Sequence, residues 1–155
     1  SNLMKRLLRN ETLKKIITHE TSKYIFFGIL TTFVYFLTRT PLFFITKEAT
    51  LSAVIANVTS ITFAFFTNDY FVFNQKRQGW LKRFVQFFIA RLSTLALDLL
   101  LAFLLVDKFP GIIGHFVRNN HDMINFIETI ISQFLIMATN YIISKFFIFK
   151  NKKES

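Results

Sequence analysis

Four stretches of this 155-residue chain are long and apolar enough to cross a bilayer, and no other feature restricts its fold so much. They run over roughly 24–46, 51–68, 84–106 and 124–147. A spanning helix needs about 20 predominantly apolar residues, because hydrocarbon offers no water to backbone N–H and C=O groups. Cysteine is absent, which excludes a disulfide framework and Cys metal sites. The net charge is +10. In a soluble domain that would suggest nucleic acid; beside apolar runs of this length it points to anionic membrane lipid, and no nucleic-acid partner is expected. The expected fold class is all-α integral membrane, with four transmembrane helices.

Sidedness follows from Lys and Arg, which accumulate on the cytoplasmic side of short loops. Lys5, Arg6, Arg9, Lys14, Lys15 and Lys23 precede span one. Lys76, Arg77, Lys82 and Arg83 lie between spans two and three, and Lys145, Lys150, Lys152 and Lys153 close the chain. The other two loops hold only Arg39, Lys47, Lys108 and Arg118, diluted by Glu48, Asp107 and Asp122. Both termini and the middle loop are therefore expected in the cytoplasm. Residues 1–22 form a basic arm that reads as an amphipathic interfacial helix on anionic lipid. Residues 23–149 form the transmembrane domain, and 150–155 a basic tail. Pro41 predicts a kink or an early helix end near Thr38, leaving 42–46 at the membrane surface. The loop 107–122 carries Pro110, Gly111 and Gly114 and should be irregular or a short helix. Its His115 and His121 lack the spacing of metal ligands, so neither a metal nor a cofactor is expected.

Two span ends look alike. "FFTNDYFVFNQKRQ" (65–78) and "MATNYIISKFFIFKNKK" (137–153) each set amides and charges before an F-x-F pair that gives way to basic residues. Aligning the pairs sets Asn68 opposite Ser144 and Asp69 opposite Lys145. Lys23-Tyr24 and Arg83-Phe84 open the two halves as basic–aromatic pairs, which sets Thr31 opposite Arg91. The spans thus read as two repeated helical hairpins, with the F-x-F rings as interfacial anchors.

Ionisable residues inside spans are expensive and mark functional sites by default. Arg91 and Asp98 are seven apart, two turns on one helical face, and the bland reading is a structural ion pair. Arg91 is permanently charged and shaped to grip phosphate through a planar fork. Asn68, Arg91, Asn140 and Lys145, with Tyr141 nearby, are expected together in the cytoplasmic half, where they suit a phosphate joined to a polar sugar. Asp98, Gln133 and Glu128 suit the outer part of a polar path. No phosphate loop, nucleophile elbow or paired-acid spacing is present, so the chain does not read as an enzyme.

These residues also carry a family resemblance. The basic–aromatic openings, the span-two end F-x-x-N-x-x-x-x-F (Phe65, Asn68, Phe73) and the span-four end N-Y-x-x-S-[KR]-x-x-x-F (Asn140, Tyr141, Ser144, Lys145, Phe149) resemble the GtrA-like membrane proteins over about Lys23 to Phe149. The resemblance implies a multi-pass protein of the bacterial cytoplasmic membrane. It implies a flippase for an undecaprenyl-phosphate-linked monosaccharide, made by a cytoplasmic-side glycosyltransferase and used by an outward-facing one on teichoic acid or O-antigen. Relatives often carry Arg after the span-two Asn, where Asp69 stands here, and Asn in span one, where Thr31 or Thr32 stands. The alternative is a non-transporting scaffold that recruits a glycosyltransferase. A third reading is a small exporter with Asp98 or Glu128 as proton carrier. Four helices enclose little space, so a homo-oligomer is plausible on size alone.

Overall fold

The computed structural model describes residues 2–153; the last two residues of the expected basic tail, and Ser1, lie outside it. The described chain is helical, in the order α1 (Asn2–Thr46), α2 (Ala49–Thr67), α3 (Trp80–Ala102), α4 (Gly111–Gly114) and α5 (His121–Ile143). A π-helical turn follows α2 (Asn68–Val72), α3 (Phe103–Lys108) and α5 (Ser144–Ile148). Four helices have the length and composition of membrane spans. The chain up to Trp80, with the segment from Asn151, forms one compact unit, and Leu81–Lys150 forms a second.

In the first unit α2 packs on α1. Ser52, Ala56, Ser60 and Ala64, one every four residues, are all buried. Small residues at this spacing let helix backbones approach closely, the usual way of packing helices in lipid. Asn68 and Val72 continue the same line into the π-turn. In the second unit, Ile124, Glu128, Ser132 and Asn140 make a similar line on α5, and Ser144 and Ile148 continue it into the π-turn. In the two lines Asn68 corresponds to Ser144 and Val72 to Ile148, as the F-x-F alignment requires.

Both π-turns close identically. Phe73 N–H donates to Asn68 O, and Phe149 N–H to Ser144 O, each at 2.8 Å. The second ring of each F-x-F pair is buried, Phe73 and Phe149 both at 4% exposure, while Phe71 and Phe147 are exposed. Only the first ring of each pair is therefore free to act as an interfacial anchor. Phe73 meets Tyr24 at 6.5 Å and Phe149 meets Phe87 at 5.9 Å, contacts worth about 0.5–1.5 kcal/mol each beyond burial. Counted from these partner rings, Tyr24 corresponds to Phe87 rather than to Phe84. Thr31 then pairs with Thr94, not Arg91, so the repeat register in the opening helices shifts by three.

Two expectations for α1 change. The arm is helical, but no break separates it from span one. At about 100° per residue, Leu3, Met4, Leu7 and Leu8 fall on one face and Leu13, Ile16 and Ile17 on nearly the opposite one, all exposed. The arm thus has two short apolar patches, not one continuous amphipathic stripe. The helix also passes through Pro41 without stopping at Thr38 and ends at Thr46. Membrane helices tolerate interior proline because nearby groups satisfy the freed carbonyl. Lys47, at φ 60°, turns the chain into α2.

The loop 107–122 contains the short helix expected of it, α4. Arg118 and Asn119 adopt positive φ, and the Asn120 side chain caps α5 by accepting from Met123 N–H at 3.2 Å. Val106, Ile113 and Ile124 form a buried apolar cluster, with Leu105, Val117 and Ile127 against it.

Candidate functional site

The second unit gathers most of the residues expected to bind substrate. On α3, Arg83, Phe87, Arg91, Thr94 and Asp98 recur at spacings of three and four and share one face. Arg91 is half-buried, its guanidinium carbon 4.7 Å from the centre of the Phe87 ring. Phe87 in turn packs on Phe149, which closes the π-turn after α5. Two rings in tilted contact thus tie Arg91 to the turn that carries Lys145. Cation–ring contact of this kind is worth about 0.5–2 kcal/mol and orients the guanidinium.

On α5, Asn140 is buried one turn before the π-turn, and its Oδ1 has no hydrogen-bond partner among the described residues. Lys145 Nζ donates to Tyr141 Oη at 3.4 Å and lies 5.6 Å and 5.8 Å from the Tyr141 and Phe146 ring centres. Arg91, Asn140, Tyr141 and Lys145 therefore share one end of the second unit. They offer two cations, a hydroxyl and an unused amide oxygen. An unsatisfied buried acceptor costs about 1–3 kcal/mol, which a ligand hydroxyl can relieve.

Asp98 stands apart. It lies about 10 Å along the helix from Arg91 at 1.5 Å per residue, and its Oδ1 accepts from Ser132 Oγ on α5 at 2.6 Å. The Asp98 contact is thus a bond to a hydroxyl from the neighbouring helix rather than an ion pair with Arg91. Glu128 is buried on the α5 line, whereas Gln133 is exposed and off it. Gln133 therefore drops out of the expected polar path.

Asn68 belongs to the first unit. Its Nδ2 donates to Ala64 O at 2.6 Å, and its Oδ1 has no partner among the described residues. The same pattern, a buried amide with a spare oxygen beside a π-turn, thus occurs once in each unit. π-turns inside helices are frequent at functional sites.

Sequence reasoning missed what Asp69 does. Its side chain is fully buried and pairs with Arg77 Nη1 at 2.8 Å. Arg77 lies 3.6 Å over the Tyr70 ring and donates to Gln75 O at 2.8 Å. Gln75 is itself buried, and Gln75 Oε1 accepts from Asn151 N–H at 2.6 Å. Lys76 N–H donates to Asn151 O and Lys153 N–H to Asn74 O, both at 2.8 Å. Asp69 is thus the centre of a latch that folds the middle loop onto the C-terminal segment, and Arg77 is more than a topology signal. The first unit also holds an open cleft of about 460 Å³, lined in part by His19, Lys23, Tyr70, Asn74 and Lys152. The positive-inside residues had marked Lys23 and Lys152, but nothing in their spacing had paired them.

The family model for the GtrA/DPMS transmembrane domain matches residues 23–149. The chain belongs to this family. An uncharacterized membrane protein of Bacillus subtilis (strain 168), YwcD, is 31% identical over 139 residues, covering 84% of this chain and 97% of that protein. No solved structure matches the chain. As a GtrA/DPMS family member with four spans, it is a multi-pass membrane protein.

Proposed function

We propose that the protein translocates a polyprenyl-phosphate-linked monosaccharide across the bacterial cytoplasmic membrane, with both termini cytoplasmic. The sugar then glycosylates a cell-surface polymer such as teichoic acid or O-antigen. The supporting observation is the end of the second unit, where Arg91 and Lys145 stand with the spare Asn140 oxygen on mainly apolar spans. Arg91 and Lys145 take the lipid phosphate, and Asn140 and Tyr141 take sugar hydroxyls. Asn68 gives a second amide site in the first unit. The isoprenoid tail stays in lipid against exposed phenylalanines such as Phe147. The partners are a cytoplasmic-side glycosyltransferase that supplies the lipid, an outward-facing one that consumes it, and anionic lipid around the basic segments.

Native mass spectrometry of protein purified from a polyprenyl-phosphate-producing host tests this reading. A co-bound polyprenyl-phosphate sugar is expected on the wild type and is depleted on R91A. Glycosylation that survives R91A and N140L but is lost on changing Lys76, Arg77, Lys82 and Arg83 would support the scaffold instead.

A further inference from the structure

Three separate segments of the first unit meet around its open cleft of about 460 Å³. The arm of α1 brings His19, Glu20 and Lys23. The π-turn after α2 and the residues behind it bring Tyr70 and Asn74, and the C-terminal segment brings Lys152. The latch places Lys152 there. Lys152 bridges antiparallel to Gln75, and Lys153 N–H donates to Asn74 O at 2.8 Å. Two ammonium groups from opposite ends of the chain thus share one cleft. Glu20 is the only carboxylate among the described lining residues. Neither Lys23 nor Lys152 has an ion-pair partner among the described residues. The cleft is therefore net positive, and an anion between the two lysines turns their repulsion into attraction.

The neutral groups of the cleft are donors. The Tyr70 ring is fixed, with Arg77 3.6 Å over it and the Phe66 and Phe71 rings each at 6.4 Å. Its hydroxyl bonds no described residue, so its proton is free to be donated. The Asn74 amide adds two N–H donors and each ammonium three. Phosphate oxygens accept such bonds, and lysine meets phosphate as a point charge. One wall of the cleft is apolar. Ile16 and Val72 line it with Phe71, which is exposed and stacked on Phe27 at 5.4 Å. A cationic side facing an apolar wall matches the boundary between a lipid head group and its tails. Small-molecule pockets span about 300–1,000 Å³, so this cleft admits a phosphate ester and not only a bare ion.

We infer that this cleft binds the phosphate of one anionic ester, with Lys23 and Lys152 facing its charge and Tyr70 and Asn74 donating to its oxygens. The site shares no residue with the phosphate contacts proposed for the second unit and does not rest on translocation. It is also narrower than the attraction of anionic lipid to the basic segments at large. A single ligand is held, and it ties the α1 arm, the π-turn and the C-terminal segment together.

Native mass spectrometry and thermal unfolding of the full chain in detergent test the site with two probes, short-chain phosphatidylglycerol and inorganic phosphate. Phosphatidylglycerol should bind the wild type saturably and raise its melting temperature, as any ligand of the folded state does. K23A/K152A should lose one bound ligand, with affinity down by about tenfold to a hundredfold; R91A should keep that ligand. Y70F, which retains the ring under Arg77, should weaken it by about twofold to tenfold. K14A/K15A removes as much charge from the same arm outside the cleft and should bind like the wild type. Lysines 23 and 152 are exposed, so their removal should leave the ligand-free melting temperature in place. Phosphatidylglycerol bound where inorganic phosphate is not assigns the phosphate to a lipid. Equal binding of both, with the same loss in K23A/K152A, assigns it to a soluble phosphate ester. No saturable binding of either probe, K23A/K152A or Y70F binding as tightly as the wild type, or an equal loss in K14A/K15A overturns the site. A failure of translocation leaves it standing.

Discussion

Replacing Asp69 with Asn keeps the side-chain shape and removes the charge that holds Arg77. Asp69 is fully buried, but the Arg77 side chain is 36% exposed, so water shares its charge. Breaking a fully buried pair costs about 3–5 kcal/mol, and an exposed pair contributes about 0.2–1 kcal/mol. A half-exposed pair falls between. Arg77 also keeps its contact with Tyr70 and its bond to Gln75 O. We expect D69N to destabilise by about 1–2 kcal/mol, placed between those two limits. For a chain of this size that lowers the melting temperature by about 2–8 °C. Trp80, the only tryptophan, packs 6.1 Å from Phe66 beside the latch and reports unfolding in detergent by its fluorescence. R77A should lose a similar amount, and D69N/R77A less than the sum, with a coupling near 1 kcal/mol. Additivity within about 0.3 kcal/mol would refute the latch. D69R, which restores the residue type the resemblance expects, should destabilise more than D69N because it sets a second cation against Arg77.

Other predictions follow from single contacts. R91A should weaken binding of a short-chain polyprenyl phosphate in detergent by about tenfold to a hundredfold, the loss of one charge-assisted phosphate contact of about 1.5–3 kcal/mol; R91K should recover only part, lacking the planar fork. N140L should leave the melting temperature unchanged or raise it, since it removes an unsatisfied buried oxygen, while weakening binding of the sugar-bearing lipid more than the bare phosphate lipid. G114A should destabilise by about 1–3 kcal/mol, because a Cβ there collides with Asn119 Oδ1 and crowds Ile124 Cδ1 at 3.1 Å; thermal unfolding checks it.

The spans were legible because hydrocarbon forces every backbone group to bond within its own helix, and only long apolar runs satisfy that rule. The loop helix near Gly111 and the repeat of the F-x-F ends were legible from turn residues and local pattern. The α1 boundary at Thr38 failed because the Pro41 rule assumes no neighbour can accommodate the freed carbonyl. The π-turns carry no sequence code, since one extra residue per turn depends on what packs against it. The Ser52, Ala56, Ser60, Ala64 stripe was there to be read, and it leads directly to Asn68. Asp69 could not be read, because its partner Arg77 lies eight residues on, and the Gln75–Asn151 contact spans 76 residues. Of the site, Arg91, Asn140, Tyr141 and Lys145 were found by asking which polar residues do not belong in oil. Ser132 was not singled out, although its hydroxyl bonds Asp98 across the two helices.

The most direct test is translocation itself. Purified protein in proteoliposomes is given a polyprenyl-phosphate-linked monosaccharide in one leaflet, and its appearance in the other is followed with an impermeant sugar-modifying reagent. The account predicts translocation well above that of protein-free vesicles, slowed about tenfold or more by R91A. Wild-type vesicles no faster than protein-free ones, or R91A as fast as the wild type, would contradict it.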